Sequence, residues 1–200
     1  MSRMSRRIVT AALVTLAVGG LSVPTAVASA PGGNGPERSE PYVTAAEAVP
    51  GIAPPGADKT AVYRDSAGRE IPMSTSPIKG SKALIGCTPV SGRDNPHRSG
   101  TGVAVSGHGW WDKGNCDNNR ADVYNCLYEY YTDNSWRQKA CSPKKVLKPG
   151  GGSSNRTAAR HDCDDTRTTS WRNHVDVDVI DEIDTGENPM RQNDVACRVY

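Results

Sequence analysis

The stretch "SWRNHVDVDVIDEID", residues 170–184, decides the fold. Over 171–180 the odd positions are Trp171, Asn173, Val175, Val177 and Val179, and the even ones are Arg172, His174, Asp176, Asp178 and Ile180. Successive side chains of a β-strand point to opposite faces, so this alternation predicts a strand with its valines turned inward and its charges turned to water. A strand covered on both sides would not carry charge at every second position, and the sheet is therefore expected to have one wet face.

The same residues invite a chemical reading. Asp176, Asp178 and Asp181 are candidate oxygen ligands for Ca²⁺, and His174 with Asp176 is a candidate acid/base couple. Alternate residues on one strand face stand roughly 6.6 Å apart, too wide for a compact carboxylate cage. The order D-V-D-V-I-D also lacks the glycine and the terminal glutamate of an EF-hand loop. A solvated strand face explains the stretch without any ligand, and no metal or cofactor is expected.

Working outward, strands are expected at 83–89, 101–107, 121–131, 136–141, 156–163, 169–180 and 193–200, separated by Gly, Pro, Asn and Asp, with no twelve-residue stretch of helical periodicity after Lys82. This pattern predicts an all-β, antiparallel, immunoglobulin-like sandwich over residues 82–200. Its core must be thin. After residue 30 only Leu84, Leu127 and Leu147 are leucine and the chain has no Phe, so Val, Tyr and Trp must fill the interior.

Within this domain ADVYNCLYEYY (121–131) and WRQKAC (136–141) flank Thr132-Asp133-Asn134-Ser135. Closing the hairpin with that four-residue loop sets Tyr131 against Trp136, Tyr130 against Arg137 and Cys126 against Cys141, which predicts an aromatic pair, a cation-π contact and a Cys126–Cys141 disulfide. The other cysteines, Cys87, Cys116, Cys163 and Cys197, complete an even count of six with no C-x-x-C spacing, so three disulfides are expected, with the remaining pairing open.

The N-terminal part reads differently. Residues 1–28 pass from MSRMSRR through an apolar run to the small residues Ala26-Val27-Ala28, the order of a secretory signal, with Ala30 as the competing cleavage site. Residues 29–58 are dense in Pro, Gly and small residues and are expected to be a disordered linker. Residues 59–81 read as a small hairpin around Asp65-Ser66-Ala67-Gly68, or as an extension of that linker. Cleavage removes Arg3, Arg6 and Arg7 from the 24 cations, against 22 acidic residues, so the mature chain is near neutral and carries no nucleic-acid signature. Secretion, with no membrane attachment after cleavage, is the expected address.

The wording of YNCLYEYYTDNSWRQKACS, LKPGGGSSNRT, TSWRNHVDVDVIDEIDTGE and VACRVY resembles small secreted proteins of actinobacteria with a disulfide-containing β-rich domain, over roughly residues 83–200. That resemblance implies export, disulfides and β structure. It transfers no activity and no functional residue.

For function, Ser106-Gly107-His108-Gly109-Trp110-Trp111 reads either as a ligand loop or as a strand end with its tryptophans in the core. Tyr124, Tyr128 and Tyr130 share one strand face, and with Trp136 they form a second aromatic set. Trp110, Trp111, Tyr128, Tyr130 and Trp136 are therefore the candidate binding residues, with cell-wall polymer or an extracellular glycan as the partner. The run from Arg137 to Arg160 has no acidic residue and is expected to be a solvated loop facing the acidic strand. G-x-S-x-G, H-E-x-x-H and phosphate-loop motifs are missing, so the expected function is non-enzymatic. The alternatives are a small secreted hydrolase using His108 or His174 with a nearby carboxylate, and a protease inhibitor presenting the loop 142–155.

Overall fold

The computed structural model describes residues 47–72, 86–184 and 189–200. The signal segment expected at 1–28 and residues 29–46 of the expected linker lie outside that range. Apart from a short 3₁₀ turn at Ala57–Lys59, the described chain is built from strands: β1 (Val62–Arg64), β2 (Glu70–Ile71), β3 (Val90–Arg93), β4 (His97–Arg98), β5 (Ala104–Asp112), β6 (Ala121–Tyr131), β7 (Ser135–Cys141), β8 (Lys145–Leu147), β9 (Thr157–Asp162), β10 (Asp165–Val179) and β11 (Met190–Arg198). Among the described residues no helix is long and apolar enough to cross a membrane.

Two sheets result. The first runs β11-β10-β6-β7-β1-β2, with β8 following β7 along the same edge of β6. The second runs β3-β5-β4, with β9 on the other side of β5. All pairings are antiparallel except β1 with β7, which is parallel. The strand expected at 83–89 is displaced to Val90–Arg93; residues 83–85 lie outside the described range, and Cys87 makes only an isolated bridge to Asp184.

The valine stripe faces the second sheet, as the alternation requires. Val175, Val177 and Val179 pack with Trp111, Ala121, Val123, Leu147 and the Cys87–Cys116 pair. A second apolar cluster joins Val105, Leu127, Ala159, Trp171, Val195, Cys197 and Val199. Alternate positions of β5, β6 and β10 thus form the space between the sheets.

The opposite face of β10 corrects the expectation of water. Of the charged residues there, Arg172 and His174 are buried, Asp176 is half-buried and Asp178 is exposed. The reason is that the first sheet curls over its own outer face. Tyr63 on β1 donates its hydroxyl to Met190 Sδ on β11 at 3.1 Å although three strands separate β1 from β11. The Arg172 guanidinium lies 4.3 Å from the Trp136 ring and hydrogen-bonds to the Tyr63 hydroxyl and to Gln192 Oε1 (3.0 Å). Delocalised charge of this kind stacks on aromatic faces, which lets an arginine sit in a covered layer.

Residues 49–53 correct a second expectation. Thr132 N donates to Val49 O, Gly51 N to Tyr130 O, Ser170 N to Gly51 O and Ala53 N to Ser170 Oγ, all between 2.9 and 3.0 Å. The expected disorder therefore does not reach residue 58. A stretch poor in apolar bulk is held by backbone bonds to β6 and β10, which its small side chains permit. Of residues 59–81, 73–81 lie outside the described range; within 59–72, β1 and β2 pair antiparallel, with Gly68 in the left-handed region (φ 79°) and Gly68 N donating to Asp65 O at 2.9 Å.

The β6–β7 hairpin reaches the expected crosslink by a different register. Its loop has three residues, Thr132–Asn134, with Asn134 at φ 58°, so Tyr131 opposes Ser135 and Tyr130 opposes Trp136. Lys139 is then an extra residue between the Tyr128–Gln138 and Leu127–Ala140 pairs, and this bulge restores Cys126 to its place opposite Cys141. The aromatic pair is accordingly Tyr130 with Trp136 (5.2 Å), and the cation over a ring is Arg137 on Tyr131 (3.9 Å). The three disulfides are Cys126–Cys141, Cys87–Cys116 and Cys163–Cys197.

The bulge also turns Lys139 inward, where its ammonium lies 2.6 Å from the Tyr131 hydroxyl and 3.8 Å from Glu129 Oε2. Glu129 is fully buried between the sheets and accepts from Thr169 Oγ1 (2.8 Å) and Val199 N (3.1 Å) through one oxygen. Burial pushes its carboxyl up to about 7 despite those bonds and Lys139.

Two outcomes are expected. A carboxyl with a raised folded-state pKa binds its proton more tightly in the fold than in the unfolded chain. Stability contributed by Glu129 is therefore present below its ordinary value of 4.5 and is lost as pH rises to about 7, by about 3 kcal/mol at most. Urea midpoints followed by Trp fluorescence between pH 5 and pH 8 should fall less for Glu129→Gln than for the parent; equal slopes would contradict the assignment. Replacing both cysteines of one disulfide by Ala should cost about 4 kcal/mol for Cys163–Cys197, which spans 34 residues, and about 3 kcal/mol for Cys126–Cys141, which spans 15. Thermal unfolding of the two variants checks the order.

Candidate functional site

The G-H-G sequence lies in the middle of β5, not in a loop. Odd positions of β5 face the first sheet, and at two of them there is no side chain. A Cβ on Gly107 would meet the Asn173 side chain at 2.8 Å, and one on Gly109 would meet Thr157 Oγ1 at 3.0 Å and Asn125 Cβ at 3.1 Å. The glycines flanking His108 therefore make room for Asn125 and Asn173 from the facing sheet and for Thr157 from the neighbouring strand β9.

Those side chains form a closed network. Asn125 Nδ2 donates to Gly107 O and to Asn173 Oδ1, both at 2.9 Å, and Thr157 Oγ1 donates to Asn125 Oδ1 at 2.8 Å. All three residues are fully buried, and the layer they form separates the two apolar clusters. Asn173 then reaches past β5. Its Nδ2 donates to His108 O at 2.9 Å and to Asp94 O at 3.1 Å, and it lies 3.4 Å from Asp94 Oδ1.

Asp94 begins the short link between β3 and β4, which pair in succession along one edge of β5. Its Oδ1 accepts from His108 N at 2.6 Å, and its Oδ2 lies 2.6 Å from His108 Nδ1 and 3.9 Å from His97 Nδ1. The two imidazoles stack with centroids 5.5 Å apart and an interplanar angle of 25°. Asn193 Nδ2 on β11 holds Pro96 O at 2.9 Å, so two asparagines of the first sheet anchor the link. His108, two positions before Trp110 on β5, faces away from the sheet interface with this cluster around it.

Most of the expected binding residues are elsewhere. Trp111, Tyr128, Tyr130 and Trp136 are buried, and they offer no open aromatic platform. Trp111 fills the space between the sheets and donates Nε1–H to Leu147 O at 3.1 Å. Tyr128, Tyr130 and Trp136 belong to the covered outer layer of the first sheet together with Tyr63 and Ala57. Trp110 alone is half-buried, and its indole lies against Gly92 and Gly151, where added Cβ atoms would sit 2.0 and 3.0 Å from it. Aromatic residues in a chain without Phe are the material of the core, which is why the stacking assignment fails for four of the five.

The acidic stretch holds no gathered cage. Asp178 accepts from Lys144 Nζ at 3.0 Å, Asp184 from Val179 N at 2.6 Å, and Glu182 from the backbone N–H groups of Asp117 and Asn118. Lys144 also lies 3.7 Å from Asp122, so the cationic loop does turn part of its charge to the acidic strand. Burial and the neighbouring Asp178 raise the Asp176 carboxyl above its ordinary range. His174 packs edge-on against Tyr128 at 6.3 Å inside the covered layer. The sequence points to His108 but gives no sign of Asp94; the available signal was the G-H-G spacing, which required a facing polar side chain to be interpretable.

No protein family, curated protein or solved structure matches the chain. The chemistry rests on the geometry: a carboxylate with one oxygen fully occupied, and a second oxygen aimed at two partly exposed imidazoles.

Gly107→Ala should destabilise the protein by about 1–3 kcal/mol, because its methyl enters the Asn173 amide. Gly152→Ala, with nothing within 4 Å, should change stability by less than about 0.5 kcal/mol. Chemical denaturation of both variants measures the contrast, and equal effects would remove the packing argument.

Proposed function

We propose that this protein is exported and acts outside the cell as a crosslinked binding protein that performs no covalent chemistry. The observation that supports this is the use of all six cysteines in three disulfides, because such bonds persist in oxidising surroundings and are rare in reducing ones. The charged, apolar and small-residue order of residues 1–28 agrees with export. At the finer level we take the two facing sheets as an immunoglobulin-like sandwich in architecture.

The partner we propose is cell-wall polymer or another extracellular glycan. With four aromatic candidates buried, its capture passes from ring stacking to hydrogen bonding at Asp94, His97 and His108, next to the half-buried Trp110. One observation favours a second reading, a small secreted hydrolase: the 2.6 Å bond from Asp94 Oδ2 to His108 Nδ1 orients an imidazole as acid/base catalysis requires. The inhibitor reading has less support. The middle of the loop 142–155 pairs with β6 as β8, and Gly150 N is bonded to Trp111 O at 2.7 Å.

The test incubates the disulfide-intact mature protein with insoluble cell-wall and polysaccharide fractions and scores sedimentation and release of soluble sugar. Sedimentation without release, weakened in His108→Ala, is the expected outcome. Release that disappears in His108→Ala would establish the hydrolase instead, and neither sedimentation nor release would end the polymer-binding proposal.

A further inference from the structure

We propose that Asp94, His97 and His108 form a site for one divalent transition-metal ion of the zinc class. Each side chain brings one ligand atom, and these atoms lie within 4.8 Å of one another. A set of two imidazoles and one carboxylate suits Zn²⁺, Co²⁺ or Ni²⁺, whereas Ca²⁺ and Mg²⁺ take oxygen ligands almost throughout. Metal–ligand bonds of about 2.0–2.2 Å in a tetrahedral arrangement hold the ligand atoms roughly 3.4 Å apart. The observed separations from Asp94 Oδ2, 2.6 Å to His108 and 3.9 Å to His97, fall on either side of that distance. Shifts of less than about 1 Å at these two pairs would bring them to that distance, and an ion taken by His97 Nδ1 would displace the 2.9 Å bond that nitrogen makes to Asn95 O.

The support around these side chains distinguishes them from a chance surface cluster. Asp94 Oδ1 is occupied by His108 N–H, with the Asn173 amide beside it, and this leaves Oδ2 as the oxygen that faces the imidazoles. Asn173 is fully buried and is itself held by Asn125, so the carboxylate is oriented from the centre of the protein. Ligands oriented by a second layer of hydrogen bonds are the usual construction of protein metal sites. The side chains of Asp94, His97 and His108 are 33, 43 and 17% exposed, so an ion can enter from solvent, and three protein ligands leave an outward position for water or a further donor. The other group with suitable spacing among the described residues, Cys87, Cys116 and Glu182, has no thiolate to offer because its cysteines are joined.

This site uses the same three residues assigned above to polymer capture, and it is tested in the absence of any polymer, so that failure of either reading leaves the other distinguishable. The purified, disulfide-intact mature protein, stripped with chelator, is titrated with ZnCl₂ by calorimetry and with CoCl₂ by visible absorption. The expected result is one ion per chain with micromolar or tighter affinity and a cobalt d–d band. His97→Ala and His108→Ala should each weaken zinc binding by about tenfold or more, while His161→Ala, outside the cluster, should leave it unchanged. His97 lies at the surface, so His97→Ala keeps the test valid if His108→Ala fails to fold, and circular dichroism checks both. Absence of heat and of a cobalt band at millimolar metal, or undiminished binding in a folded His97→Ala variant, would overturn the proposal.

Discussion

The structure depends on one buried polar layer, the Asn125–Asn173 hydrogen bond with Thr157 beside it. The two asparagines stand on neighbouring strands of the first sheet, and their layer reaches the second sheet through Asn125 Nδ2 to Gly107 O and Thr157 Oγ1 to Asn125 Oδ1, dividing the interior into two apolar clusters. Buried amides are costly when unpaired, so the sheets are locked into the one offset that pairs them. Gly107 and Gly109 are part of the same constraint, since the amides need the space that side chains there would fill.

The layer also connects the interior to the surface. Asn173 reaches the backbone of Asp94 and His108, so the group that sets the sheet register also sets the loop between β3 and β4. The cluster of Asp94, His97 and His108 is therefore an extension of the core and not an appended loop. A surface group built in this way keeps its geometry without a ligand, which favours binding because little ordering remains to be done on association.

A chain without Phe and with few leucines solves its packing problem in three places. Trp111 and Trp171 fill the two inter-sheet clusters, Trp136 anchors a third layer on the outer face of the first sheet, and each of these clusters takes in at least one disulfide cysteine. The third layer exists because the first sheet curls until Tyr63 meets Met190, and it takes in Arg172 as a cation stacked on Trp136. The same economy explains why the aromatic residues are not available to a ligand.

The sequence by itself determined the strand character of 171–179 and the inward valines, because alternation is a property of the backbone alone. It also determined the Cys126–Cys141 pairing, although by a register that was one residue out near the loop: the three-residue loop and the bulge at Lys139 cancel, and a count across the hairpin cannot see two compensating changes. The burial of Arg172 and His174, the ordering of residues 49–53 and the meeting of Asp94, His97 and His108 were decided only in three dimensions. Each depends on segments distant in the chain, on the curl of a sheet or on an asparagine crossing between sheets, and no local pattern encodes which distant surface will cover a given side chain.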